Sequence, residues 1–128
     1  MKKCFLLLLI FWTVSCSDDD SNPENATLDG EWTLTNVSCF CGFPDPPEFE
    51  STTVLFDVES DEITVSHTGS FEYFRPNGTY SYSVSGSEIR MMDGRSYEFD
   101  FSENTLFLRF VDEPTIADDE ILYTFIRN

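Results

Sequence analysis

The sequence predicts an all-β domain: an antiparallel up-and-down meander of eight or nine short strands closed into a barrel. Three observations carry that expectation. From Gly30 onward the chain runs in short stretches of alternating apolar and polar residues between turn signals, with no helical period and no internal repeat. The loop lengths keep the apolar residues of successive stretches on one face, a demanding condition because a one-residue slip turns every side chain over. Finally, a long one-sided meander leaves unpaired edges, and closure into a barrel removes them.

The first strand is "EWTLTNV", Glu31 to Val37. "VLFDVESDEITV" folds back at Ser60-Asp61, setting Val58 opposite Ile63 and Phe56 opposite Val65. "FEYFRPNGTYSY" forms a hairpin over Arg75 to Gly78, with Pro second and Gly fourth as a type I turn prefers. It pairs Tyr73 with Tyr80 and Phe71 with Tyr82. "TYSYSVSGSEIRMM" closes through Gly86-Ser87, which suits a type II′ turn and sets Val84 against Ile89 and Tyr82 against Met91. A two-residue Asp-Gly loop would next put Ile89 on the face of Glu98. A three-residue loop, Asp93 to Arg95, keeps the parity and pairs Met91 with Tyr97. "YEFDFSENTLFLRF" turns at Glu103-Asn104, so that Phe101, Phe99 and Tyr97 meet Leu106, Leu108 and Phe110. The last strand, "EILYTFI" from Glu120 to Ile126, is the natural partner of the first. The other face, with Ser81, Ser83, Glu88, Arg90, Glu98, Asp100 and Arg109, reads as solvent.

Upstream of the barrel lies an address. Met1-Lys2-Lys3 precedes the apolar run "CFLLLLIFW" and the small residues of "TVSC", the layout of a secretory signal peptide. The run is too short for a membrane-spanning helix, which needs about 18 apolar residues. Val14-Ser15-Cys16 resembles the bacterial lipobox, which implies that residues 1–15 are removed and Cys16 is acylated. Thr13 departs from the usual Leu. Several acyl chains, at about 0.8 kcal/mol per buried methylene, make a durable membrane anchor. Asp18-Asp19-Asp20 looks like the export signal of surface lipoproteins in some Gram-negative bacteria, which implies an outer-membrane, cell-surface location. Residues 16–27, polar and interrupted by Pro23, read as an acidic flexible tether. An EF-hand reading of Asp18, Asp20 and Asn22 fails, because Pro23 stands where Gly is needed and Asp29 where a bidentate Glu is expected.

Residues 28–128 then form one domain. After processing, five arginines face 24 acidic residues, and no lysine is left. Nucleic acid and anionic head groups are therefore poor partners. The 17 aromatic residues beyond Ser15 are enough to fill a substantial core despite that charge. Cys39 and Cys41 are the remaining thiols. In an oxidising exterior they are expected to pair with each other, with free thiols as the alternative. A Cys-x-Cys ring is tight and more reducible than an ordinary bridge. A metal site would need further ligands, and the only histidine, His67, falls in a polar turn. No cofactor is expected.

"LDGEWTL" contains Gly30-x-Trp32, and "FIRN" places Arg127 just after the last strand. Together with "GTYSYSV" from Gly78 to Val84, these make the whole of residues 28–128 resemble the bacterial lipocalin-like lipoprotein domains. The resemblance implies a lipocalin-like barrel in which Trp32 plugs one end and Arg127 packs over it, a stacking contribution of roughly 0.5–2 kcal/mol. It implies no particular ligand. The insert "SCFCGFPDPPEFES" departs from the pattern.

Catalysis is not expected. There is no phosphate-cradling Gly-rich loop, no G-x-S-x-G elbow and no mature lysine. His67 beside serines is a solvated loop residue rather than part of a triad. The acids fall mostly at turns or outward positions, with little room for a glycosidase cleft. Two binding readings stay open. The barrel interior can hold a small apolar ligand among Trp32, Phe56, Phe71, Tyr82, Phe99 and Tyr123, although so many large inward aromatics favour a filled interior. Alternatively, the first connection, with Phe40, Phe43 and Phe49 among prolines, is a surface that recognises a protein or glycan, or else those rings cap one end of the barrel.

Overall fold

The computed structural model describes residues 28–111 and 120–128. The signal segment, Cys16 and the tether lie outside them. Eight strands form one closed antiparallel barrel in chain order: β1 (Gly30–Ser38), β2 (Thr52–Asp57), β3 (Glu62–His67), β4 (Gly78–Ser85), β5 (Glu88–Met91), β6 (Ser96–Ser102), β7 (Thr105–Val111) and β8 (Leu122–Arg127). A short 3₁₀ turn, Phe49–Ser51, precedes β2. Closure comes from β1 on β8, with Trp32 opposite Arg127, Leu34 opposite Phe125 and Val37 opposite Tyr123. A bulge between Leu34 and Asn36 inserts one extra residue in β1. It flips the parity, so Val37 rather than Asn36 turns inward.

The two tightest hairpins follow the expected registers. Val84 faces Ile89 and Tyr82 faces Met91, with Gly86 at φ 60° in the turn. Phe101, Phe99 and Tyr97 face Leu106, Leu108 and Phe110. Two other turns keep the expected parity but slide by two residues. In the β2–β3 turn, Asp57 is the last paired residue and Phe56 meets Ile63, not Val65. The Asp57 carboxylate accepts the backbone N–H of Glu59 and Ser60 at 3.1 and 3.3 Å, and this side-chain cap nucleates a four-residue turn. In the β5–β6 turn, Tyr97 meets Ile89, not Met91. The loop is Met92 to Gly94, closed by Gly94 N–H to Met91 O at 3.0 Å and Met91 N–H to Arg95 O at 2.7 Å. That placement gives the left-handed position, φ 96°, to Gly94. A loop one residue later would force it on Arg95.

The expected strand through Phe71 and Tyr73 does not form. β4 pairs directly with β3, Ile63 opposite Tyr80 and Val65 opposite Gly78, and residues 68–77 are a connection. Neighbouring residues of a strand point to opposite faces. Tyr73, Phe74 and Arg75 are all buried, which a one-sided sheet cannot provide. The segment instead crosses one end of the barrel. Asn77 ties off its base, accepting the His67 N–H at 2.7 Å and donating to the His67 carbonyl at 3.3 Å. His67 itself ends β3 rather than sitting in a turn.

The core is the inner face of all eight strands, from Leu28 and Trp32 through Phe56, Ile63, Tyr82, Tyr97 and Leu108 to Phe125. Ser81, Ser83, Arg90, Glu98, Asp100 and Arg109 face outward and are exposed, while Glu88 is half-buried.

Candidate functional site at the mouth of the barrel

Topology gives the barrel two unlike ends. β1 begins at the first, which also holds the β2–β3, β4–β5 and β6–β7 turns and the end of β8. It is sealed. Trp32 is 0% exposed, and its indole N–H donates to the Leu28 carbonyl at 2.9 Å. The Arg127 guanidinium lies 4.2 Å from the indole centroid and donates to the Asp29 carbonyl at 2.7 Å. Gly30 has φ 116°, and a Cβ there would stand 3.2 Å from Arg127 Nη1. The glycine of G-x-W therefore lets the arginine reach the ring.

The interior between the ends is occupied by packed rings. Trp32 and Phe56 are 0% and 1% exposed, so almost no water-sized space touches either. Phe56 meets Tyr82 edge-on at 5.7 Å, and Phe99 lies 5.6 Å from Phe101. Tyr123 packs edge-on against Phe74 at 4.9 Å. Burial, and then Asp61, Asp29 and Asp57, push the Tyr82 phenol up to about 12. Its hydroxyl has no hydrogen-bond partner among the described residues. Tyr123 is likewise pushed up to about 12, chiefly by burial. Of the six expected lining residues, five are buried inward positions on strands. Phe71 is not among them: it lies half-buried on the 68–77 connection.

The second end, the mouth, carries the β1–β2, β3–β4 and β5–β6 connections. Phe74 reaches from the 68–77 segment onto Tyr97, Tyr123 and Phe125, with centroids 5.7, 4.9 and 5.6 Å away. It fills the opening as a ligand would. Next to it Arg75, 5% exposed, pairs with Asp93 of the β5–β6 turn and stacks 4.4 Å from the Tyr80 ring. Burial disfavours its charge, but Asp93 and Tyr97 more than offset this and hold its pKa above the ordinary guanidinium value. Asp93 is held below its ordinary value, first by Arg75 and then by the Arg95 backbone N–H.

Above this plug lies an aromatic cluster drawn from two loops. Phe43 and Phe49 of the first connection meet edge-on at 5.5 Å, and both pack on Tyr73, at 5.5 and 4.9 Å. Phe71 adds contacts to Phe43 and Tyr73 at 5.9 and 4.8 Å. The Tyr73 hydroxyl accepts the Glu48 backbone N–H at 2.8 Å, which couples the two loops. Phe43 and Phe49 are therefore half-buried, while Phe40 is 95% exposed beside a disulfide joining Cys39 to Cys41. Between the loops runs a groove of about 230 Å³, lined by Pro44, Pro46, Glu48, Ser70, Phe71 and Tyr73.

A larger recess of about 460 Å³ lies on the outer wall, along Glu98, Asp100, Phe107 and Arg109. Its ion pair is loose, 3.8 Å between half-exposed side chains, so the mouth, where aromatic side chains converge, is the stronger candidate. Among the described residues no three His, Cys, Asp or Glu side chains are placed to hold a metal. Sequence reasoning missed Tyr73, Phe74 and Arg75 as mouth residues. The signal was there in the adjacent aromatics "YF", which no half-buried strand can bury together. No family model matches the chain, and no curated protein matches it significantly.

Proposed function

We propose that this protein is a non-catalytic lipoprotein, anchored to the outer membrane of a Gram-negative bacterium through lipid on Cys16. Its lipocalin-like barrel serves as a packed stand that presents the mouth to a protein or glycan at the cell surface. One observation carries this reading: the aromatic and proline surface lies at the end opposite residue 28, where the tether enters. β1 alone spans roughly 25 Å between the two. A tether fixed at one end turns the other away from the membrane. The packing around Trp32 and Phe56, together with Phe74 in the opening, weighs against an interior apolar ligand.

The test is photo-crosslinking on intact host cells, with a photoreactive residue at Phe40 and, separately, at Asn104 on the sealed end. A discrete adduct at position 40 alone supports the proposal. Adducts at neither position, together with a small apolar molecule retained in native mass spectrometry of the protein from its host, would overturn it.

A further inference from the structure

We infer that the partner engaged at the mouth is a cationic protein segment, whose lysine or arginine side chains dock between the two loops onto the aromatic groove. This deepens the surface-recognition reading above and rests on it. Three observations converge.

The first is apolar exposure. Of the five large hydrophobic side chains exposed among the described residues, Phe40, Met92 and Val111 are at the mouth end, whereas Leu55 and Ile126 lie on the wall. Exposed apolar side chains that share an end with a preformed groove point to that end as the contact surface.

The second is charge. The two groove-forming loops carry Asp45, Glu48, Glu50 and Glu72, all exposed. Their single guanidinium, Arg75, is turned inward to Asp93 and Tyr80, so it neutralises none of the four outside. Basic side chains are thus the complementary partner. Like charges would be repelled, and a neutral partner would leave this field unused.

The third is the chemistry of the floor. Half-buried Phe71 and the Tyr73 ring line the groove together with the Glu48 side chain, a setting that attracts a cation through both the ring quadrupole and the carboxylate. The sealed end makes the contrast. Asp29, Asp57, Glu59, Asp61 and Glu62 crowd there too, but Trp32 is buried and already covered by Arg127, and Phe101 packs against it at 6.0 Å. Acid is found at both ends, whereas a ring as open as Phe40 is found, among the described residues, at the mouth.

The experiment uses the full lipidated chain in phosphatidylcholine nanodiscs. Its probes are two fluorescent 12-residue peptides, one alternating Lys and Pro, the other with Glu in place of Lys. The Lys peptide is expected to bind and the Glu peptide not. The double variant Glu48→Lys/Glu72→Lys should weaken the Lys peptide about tenfold, and Phe40→Ala severalfold. The charge-matched control Glu59→Lys/Glu103→Lys, at the sealed end, should change affinity less than about twofold. Equal losses in the two double variants would reduce the effect to bulk charge and overturn the inference. So would equal binding of the two peptides, or binding only of neutral oligosaccharides. If it fails while position 40 still crosslinks on cells, the surface reading stands and only the cationic partner falls.

Discussion

The two ends of this barrel solve the same problem by different means. At the sealed end the closing groups belong to the strands themselves: Trp32 on β1 and Arg127 at the tip of β8, opposite each other in the ladder and stacked at 4.2 Å. At the mouth the closing groups come from loops: Phe74 in the opening, with Arg75 clamped to Asp93 behind it. The strand-built end is held by the sheet register, so it cannot open without unzipping β1 from β8. Among the described residues the loop-built end is held by side chains: the Arg75–Asp93 pair stacked on Tyr80, the Asn77 tie, the Tyr73–Glu48 hydrogen bond and aromatic edges. That asymmetry ties the sealed end to the sheet and leaves the mouth to loop side chains.

The comparison can be broken hardest at Trp32. Trp32→Ala removes a wholly buried indole and strands Arg127 without its platform, and about 3–5 kcal/mol of stability should go with it. Urea unfolding followed by circular dichroism measures this, and a loss below about 1 kcal/mol would show that the seal is dispensable.

Alkali probes both halves together. Tyr82 faces the carboxylates of the sealed end and Tyr123 sits near Arg95 and Arg75 at the mouth, yet both phenols are pushed up to about 12, because burial dominates in each. A phenol whose folded pKa is raised contributes its full stability below pH 10. That contribution is lost as pH rises from 10 through 12, at about 1.4 kcal/mol per unit for each ring. Absorbance at 295 nm should therefore show the Tyr82 and Tyr123 phenols ionising late, near pH 12. Tyr82→Phe removes one of them. Because its hydroxyl is buried without a partner among the described residues, the same change should leave stability at pH 7 unaltered or raise it by up to about 1 kcal/mol.

The mouth has its own electrostatic test. Asp93→Asn takes the ion-pair partner from the buried Arg75 guanidinium, leaving it Tyr97 and Tyr80, and should cost about 2 kcal/mol, whereas Arg75→Met, which fills similar volume, should cost less than about 1. Acid should reproduce the first change. Asp93 titrates below its ordinary value, so its stabilisation is present at and above that value and is lost as pH falls through the depressed one. The acid limb of a pH–stability profile should be steeper in the parent than in Arg75→Met.

What could be read from sequence follows the same division. The hairpins at Gly86-Ser87 and Glu103-Asn104 were legible because a two-residue loop fixes register with nothing left to choose. The β2–β3 and β5–β6 turns were legible only in parity. Alternation is blind to a shift of two residues, and the deciding details, the Asp57 cap and the left-handed Gly94, act within the turn. At the sealed end the resemblance carried by G-x-W and the terminal arginine supplied the expectation, and the Arg127 guanidinium does lie over the buried Trp32 ring. The mouth was largely illegible. Phe71 and Tyr73 alternate well enough to mimic a strand, and only the burial of Tyr73, Phe74 and Arg75 together shows that tertiary packing overrode the pattern.

The smallest expected effect separates display from packing at the mouth itself. Phe40 is 95% exposed and makes none of the ring contacts that tie Phe43 and Phe49 to Tyr73. An exposed residue without such contacts contributes little to the fold, so Phe40→Ser should shift stability by less than about 0.5 kcal/mol. Phe43→Ser, which breaks contacts with Phe49, Phe71 and Tyr73, should cost about 1–2 kcal/mol. Thermal unfolding of the two variants side by side decides the matter. A costly Phe40→Ser would mean that the ring is part of the cap and leaves the mouth without its most exposed contact. A silent one shows that the ring is no part of the cap, as the contact role proposed for it requires.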